Sequence, residues 1–262
     1  MAVTVTDLAI APVKGLQVVS ADWLDIGPAG PAGDRAFLVV DHDSRLLRTS
    51  RTPALLEVSA RWGDGRLALR FPGGREVAAV PDPGATATVE LYDGRAVAGR
   101  LVDGELAAAL SDHLGRPVRL LARDDGHTGA DDSPVTLMST ASLAALAPAL
   151  DGAVPDPRRF RMTITVDGVS AWEEHGWGGR TVEAGDAVLR VVEPVPRCVV
   201  TTRDPESGRL DVPTLRALAV LRGPRDVTFG VWCEVVSPGR VRRGDPVRLE
   251  SQDPAGPALF GR

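Results

Sequence analysis

Aromatic residues make up only 4% of this 262-residue chain, and lysine occurs once. So few stacking side chains, with a formal net charge of −5, exclude a general nucleic-acid binder, which would show a basic stripe interleaved with aromatics. Cysteine occurs only at Cys198 and Cys233, too few for a disulfide framework or for an ordinary four-cysteine iron–sulfur cluster. No apolar run reaches about 18 residues, the length that suggests a membrane span. The start, Met1 to Leu8, has neither the basic nor the apolar region of a secretory leader. These absences lead to the expectation of a cytoplasmic protein with reduced thiols and no nucleic-acid or membrane partner. The chain also lacks G-x-S-x-G, a Walker loop and H-E-x-x-H. His42, His113, His127 and His175 are scattered without zinc spacing and read as surface or loop residues.

What the chain does contain is short strands. Val3 to Ile10, Val18 to Ile26 and Ala36 to Asp41 read as strands, and Leu56, Val58, Ala60 and Trp62 alternate, as do Leu67, Leu69 and Phe71. Period-two patterning with frequent turn signals suggests a barrel or a sandwich. The Gly/Pro-rich Gly27 to Gly33 lacks a following helical pattern and reads as a plain turn. A helix is expected from Asp103 as N-cap, through Leu106, Leu110 and Leu114, to Gly115. The polar run 124–134 follows, and a unit boundary belongs between about 115 and 132. Its acid pairs Asp124/Asp125 and Asp131/Asp132 read as solvated turn residues. Beyond it, Val135 to Met138, Arg159 to Val166, Ala187 to Val192, Val199 to Thr202, Val227 to Val236 and Val247 to Glu250 read as strands. Ser139, Thr140 and Ser142 open one helix, and Thr214 can cap another.

The chemistry concentrates in Glu193-Pro-Val-Pro-Arg-Cys-Val-Val-Thr-Thr-Arg-Asp-Pro-Glu-Ser-Gly208. The Arg197 cation favours the thiolate of Cys198, the form that attacks carbon or binds a soft metal. A small buried residue on a strand is the alternative reading. Lys14, the only lysine, marks either chance or a site that needs a compact ammonium. Arg159 and Arg161 fall on one face of their expected strand and require carboxylates or a bound anion. The helix start at Ser139 to Ser142 is a second possible anion seat. Arg35 and Arg51 follow turns in the first half. Together these residues suggest an elongated anionic ligand between the two halves, with Cys198 at its reactive end.

The motifs also resemble a known family. Ala11-Pro-Val-Lys-Gly15, Gly33-Asp-Arg35 and Thr49-Ser-Arg-Thr-Pro-Ala-Leu55 look like the N-terminal β-barrel domain of MOSC proteins. Ser139-Thr-Ala-Ser-Leu143, Arg158-Arg-Phe-Arg161, Trp172-Glu-Glu-His-Gly-Trp177, Pro196-Arg-Cys198 and Thr202-Arg-Asp-Pro205 look like the MOSC domain itself. The resemblance extends over nearly the whole chain, and its functional relatives include the amidoxime-reducing components. It implies a mixed α/β, mainly β fold: two β-barrel-type domains of short strands with a few short helices, over residues 1–122 and 123–262. It further implies a molybdenum–molybdopterin cofactor with Cys198 on the metal and Asp204 assisting protonation. Lys14, Gly15, Arg35, Arg51, Ser139, Ser142, Arg161, Thr163 and Arg197 would surround the pterin and its phosphate. The family's Arg-Pro-Asn reads Arg161-Met-Thr163 here, and Gly15 stands where some relatives have Ser. The implied activity is reduction of N-hydroxylated small molecules, with electrons from a separate flavin or iron–sulfur protein, since the chain ends shortly after its last strand. A cofactor carrier or sulfur-transfer protein, and an anion-binding protein without molybdenum, are the alternatives.

Overall fold

The computed structural model describes residues 2–92, 94–124 and 129–250. Asp125 and His127, read above as turn and loop residues, lie outside this range. The largest sheet has eight strands, in the order Val247–Leu249, Thr181–Ala184, Ala187–Pro196, Thr228–Ser237, Val135–Ser139, Ile164–Asp167, Thr4–Ile10 and Val19–Ala21. Its buried face gathers Val5, Leu8, Val135, Leu137, Ile164 and Val166, among others, into one apolar core. Thr4–Ile10 comes from the start of the chain yet pairs antiparallel with Ile164–Asp167, Val5 opposite Val166 and Leu8 opposite Ile164.

A second sheet of five strands runs Pro83–Glu90, Ala96–Val102, Arg119–Arg123, Phe37–Val40, Val13–Lys14. The helix Glu105–Leu114 covers one of its faces by burying Leu106 and Leu110. Gly115 stops that helix in the left-handed conformation, which glycine adopts without a Cβ penalty. Two three-stranded sheets complete the fold, Ser59–Gly63 with Arg66–Arg70 and Glu76–Ala79, and Gly239–Arg242 with Trp23–Gly27 and Gly30–Pro31. Among the described residues no helix is long and apolar enough to cross a membrane.

Several sequence expectations are corrected. The fold is mixed and mainly β, but among the described residues no sheet closes into a barrel. Closure requires the two edge strands to pair, and the eight-stranded sheet instead ends on Val247–Leu249 and Val19–Ala21. Val18 to Ile26 is two strands in two different sheets. Arg159 to Val166 is not one strand: Pro157–Phe160 is a 3-10 turn, Arg161 is left-handed, and the strand begins at Ile164. Proline at the first helical position, with Asp156 accepting from the Arg158 N–H, favours that turn over extension. Val199–Thr202 is likewise a 3-10 turn. Gly104 rather than Asp103 precedes the first helix, and Asp103 pairs with Arg119 at 2.6 Å. Thr214 lies inside its helix, where its hydroxyl donates to Thr201 Oγ1 at 2.9 Å.

His175 is the least comfortable polar group in the packing. Its ring stands edge-on to Trp172, whose face carries the Arg222 guanidinium, and both ring nitrogens are buried without a hydrogen-bond partner. Burial first, then the Arg222 charge, pushes the imidazole down to about 4, against the weaker pull of Asp226. Because the folded state binds the proton less readily than the unfolded chain, stability is lost as pH falls from the ordinary histidine range towards that value. Screening at a half-buried site limits the loss to about 2 kcal/mol. Urea titrations between pH 7 and pH 4 on wild type and His175→Phe should show this acid loss shrinking in the variant. Equal slopes would contradict it.

Candidate functional site

Four cations converge where the two largest sheets meet. Lys14 ends the short strand Val13–Lys14. Its Nζ donates to the Gly129 carbonyl at 2.8 Å and pairs with Asp131 Oδ1 at 2.8 Å. Burial pushes the ammonium below its ordinary value; Asp131 opposes this, while Arg35 and Arg161 add to it. Asp131, expected to be a solvated turn residue, is therefore the direct counter-ion of the lone lysine. Gly129 also packs directly against the Arg35 backbone, where a Cβ would lie 2.5 Å from the Arg35 carbonyl oxygen.

Arg35 pairs with Asp34, whose other carboxylate oxygen accepts from the Ala11 N–H at 2.8 Å. The Arg161 guanidinium has no hydrogen bond or ion pair with any described residue, although its charge senses Arg35, Asp34, Asp131 and Arg197. Burial, followed by the Arg35 charge, pushes it down to about 10. Arg35 and Arg161 both hold positive backbone angles, φ 46 and φ 55, a conformation that non-glycine residues rarely adopt and that clusters at functional sites.

Arg197 closes the group from the far side. Its guanidinium donates to the Phe160 carbonyl, approaches Met162 Sδ at 3.8 Å and packs over the Phe160 ring. Its Nε is buried and unpartnered. Burial pushes it to about 10, while Cys198 acts in the opposite sense. Among the described residues neither Arg161 nor Arg197 has a carboxylate partner, whereas Lys14 and Arg35 do. The cluster is thus under-neutralised where Arg161 and Arg197 approach each other, which suits an anion.

Cys198 follows the strand Ala187–Pro196 and caps the turn Val199–Thr202, with its carbonyl accepting from the Thr201 N–H at 3.1 Å and the Thr201 hydroxyl at 3.0 Å. The residue is exposed, contrary to the small-buried-residue reading. Cys233 is the buried cysteine, mid-sheet opposite Val135 and Val191, with its thiol pushed up to about 12 by burial.

The remaining sequence candidates have other surroundings. Gly15 is left-handed at φ 91 and tightly packed, its carbonyl accepting from Thr49 Oγ1 at 3.2 Å. Arg51 is exposed at the surface. Thr163 is buried and paired with Thr136, hydroxyl to hydroxyl at 3.2 Å. Asp204 Oδ1 accepts from the Glu206 and Ser207 N–H groups and from the Ser207 hydroxyl, all within its own turn. Partial burial works to raise its carboxyl, but these donors outweigh it and hold the group below the ordinary carboxylate range. Ser139 caps the helix Thr140–Ala144, its hydroxyl accepting from the Ser142 N–H, but the seat the two serines make is filled from within. Glu174, at 0% exposure, accepts from the Ser139 N–H at 3.3 Å and contacts the two hydroxyls at 3.0 and 2.9 Å. The motif Trp172-Glu-Glu-His-Gly-Trp177 thereby acquires a structural purpose. Residues missed from sequence are Asp131, Glu174 and Asp211, whose partners lie far away along the chain, and Asp34, which pairs with its neighbour Arg35 and with the distant Ala11 N–H.

Comparison with known proteins gives the lineage. Residues 124–248 match the MOSC domain and residues 2–117 the MOSC N-terminal beta barrel domain. Mitochondrial amidoxime reducing component 2 of Bos taurus is 28% identical over 93% of this chain and 82% of its own length. Mitochondrial amidoxime-reducing component 1 of Homo sapiens is 26% identical over 95% of this chain and 83% of its own length. Among solved structures, the YUAD protein of Bacillus subtilis aligns at TM-score 0.48 and 13% identity, over 95% of this chain and 96% of that one. The mitochondrial naming of the relatives contradicts the cytoplasmic expectation, which is withdrawn. The homology supports an enzymatic role and the family's association with a molybdenum cofactor.

An unpaired guanidinium held mostly out of water is a stability cost that ligand binding offsets. Arg161→Met in protein freed of bound ligand should leave unfolding free energy unchanged or raise it by about 1 kcal/mol. Stabilisation by added pyrophosphate should fall in the same variant. A loss of about 2 kcal/mol or more in urea denaturation would show instead that Arg161 has a partner within the fold. The exposed thiol beside Arg197, the two carboxylate-free arginines and the two matched regions all lead to one assignment: the chain is a MOSC-domain protein, homologous to the mitochondrial amidoxime-reducing components.

Proposed function

We propose that this chain is a molybdenum-cofactor oxidoreductase that reduces N-hydroxylated small molecules. The observation that carries the reading is the exposed Cys198 thiol next to a cation cluster in which Arg161 and Arg197 have no carboxylate among the described residues. The donor set suits the group. A thiolate is a soft ligand for molybdenum, and arginine forks suit the phosphate of the pterin. Cys198 is the metal ligand in this reading. Arg161 and Arg197 bind the anionic end, with Lys14, Arg35 and Arg51 setting the surrounding potential and Gly15 permitting close backbone approach.

The chemistry supplied by the bound group is two-electron redox at molybdenum, which a chain of ordinary side chains lacks. Overall, two electrons and two protons break the N–O bond and release an amine or amidine and water. The described residues support this by fixed charge rather than by a ready proton donor, because Asp204 is held within its own turn. Two cysteines cannot hold an ordinary iron–sulfur cluster, and in this reading electrons come from a separate flavin or iron–sulfur protein. The division into units at 1–122 and 123–262 belongs to the same proposal. The exposure of Cys198 also suits a carrier that hands its cofactor on, and rapid transfer to an apo-enzyme without N-reduction would favour that second reading.

Protein purified from a cofactor-competent host should hold about one molybdenum per chain and lose it in Cys198→Ala, by elemental analysis. With a reductase partner it should convert benzamidoxime to benzamidine. Absence of molybdenum while a control enzyme is loaded would overturn the reading. Turnover with a pyridine nucleotide and no partner would overturn the part about a separate donor.

A further inference from the structure

We infer that Arg159 is a positioning residue that fixes the Cys198 loop in register with Arg161. Arg159 was expected on one strand face with Arg161, both requiring carboxylates or a bound anion. The turn Pro157–Phe160 and the left-handed Arg161 put the two side chains in different surroundings. Arg161 faces the cation cluster. The Arg159 side chain, 3% exposed, forms a two-pronged pair with Asp211: Nη1 to Oδ1 and Nη2 to Oδ2, each 3.1 Å.

The same Nη1 donates to the Thr201 carbonyl at 3.1 Å and the Arg203 carbonyl at 2.8 Å. Thr201 in turn holds the Cys198 carbonyl through both its N–H and its hydroxyl. Asp211 closes the other end, with its N–H donating to the Thr202 carbonyl at 3.1 Å. One guanidinium therefore clasps both ends of the 201–211 loop and lies one short step from Cys198.

The neighbours on this turn share the task. The Phe160 carbonyl accepts from Arg197, and Arg158 reaches Glu206 at 2.8 Å. A five-residue segment thus couples the thiol, its adjacent cation and the carboxylate-free Arg161, so a displacement of Cys198 relative to Arg161 requires this segment to deform. Lysine cannot replace the fork, because an ammonium offers no planar pair of donors to a carboxylate.

The test uses Arg159→Lys and Asp211→Asn in the full chain, with two readouts. The first is amide hydrogen exchange without cofactor, comparing residues 199–203 with the helix 105–114. The inference expects about tenfold faster exchange at 199–203 and an unchanged helix. The second rests on the molybdenum reading: the Mo(V) electron paramagnetic resonance spectrum of loaded protein, which should shift in both variants because the Cys198 sulfur is reoriented. If wild type takes up no molybdenum, that reading fails and hydrogen exchange alone decides the present inference. Exchange that is unchanged at 199–203, or that rises equally in loop and helix, overturns it. So does an unshifted spectrum in loaded variants. Should Arg159→Lys fail to fold, Asp211→Asn probes the same pair.

Discussion

Positive charge that the fold itself does not neutralise is the constraint on which the site depends. Lys14 and Arg35 each have a carboxylate, in Asp131 and Asp34. Arg161 and Arg197 have none among the described residues, and burial lowers both. Two guanidiniums in that situation repel each other and favour an anion between them. The surrounding backbone is arranged to tolerate it. Arg35 and Arg161 accept left-handed angles, and Gly129 lacks the Cβ that would collide with the Arg35 backbone. Strain and unpaired charge in one place are a ligand site's signature rather than a stability device.

The carboxylates show the opposite design. Glu174 is fully buried yet surrounded by partners from Ser139 and Ser142, so its carboxyl group fills the helix start from within. Asp211 holds Arg159, and Asp204 holds its own turn. Each of these acids is satisfied within the fold. The contrast assigns the free charge of the site to its cations and makes an anionic ligand its natural complement.

Sequence made the chemical end of this account legible and left the packing end hidden. Cys198 beside Arg197, after two prolines, is a local pattern, and the single lysine is visible by counting. Gly115 and Ser139 carry local helix signals that the structure keeps. Arg159 and Arg161 were placed together because period-two spacing is ambiguous over a few residues; proline at the turn's first position and a left-handed Arg161 decide otherwise. Glu174 and Asp131 were invisible because their partners lie 35 and 117 positions away. The barrel expectation failed for a related reason, since closure depends on which edge strands pair, and no local pattern encodes that.

Anomalous diffraction at the molybdenum absorption edge, on crystals of protein loaded in a cofactor-competent host, addresses the central claim most directly. A metal peak bonded to Cys198 Sγ, with connected density ending on Arg161 and Arg197, is the predicted result. Loaded protein with its metal away from Cys198, or with its anionic end held by other residues, would contradict the account.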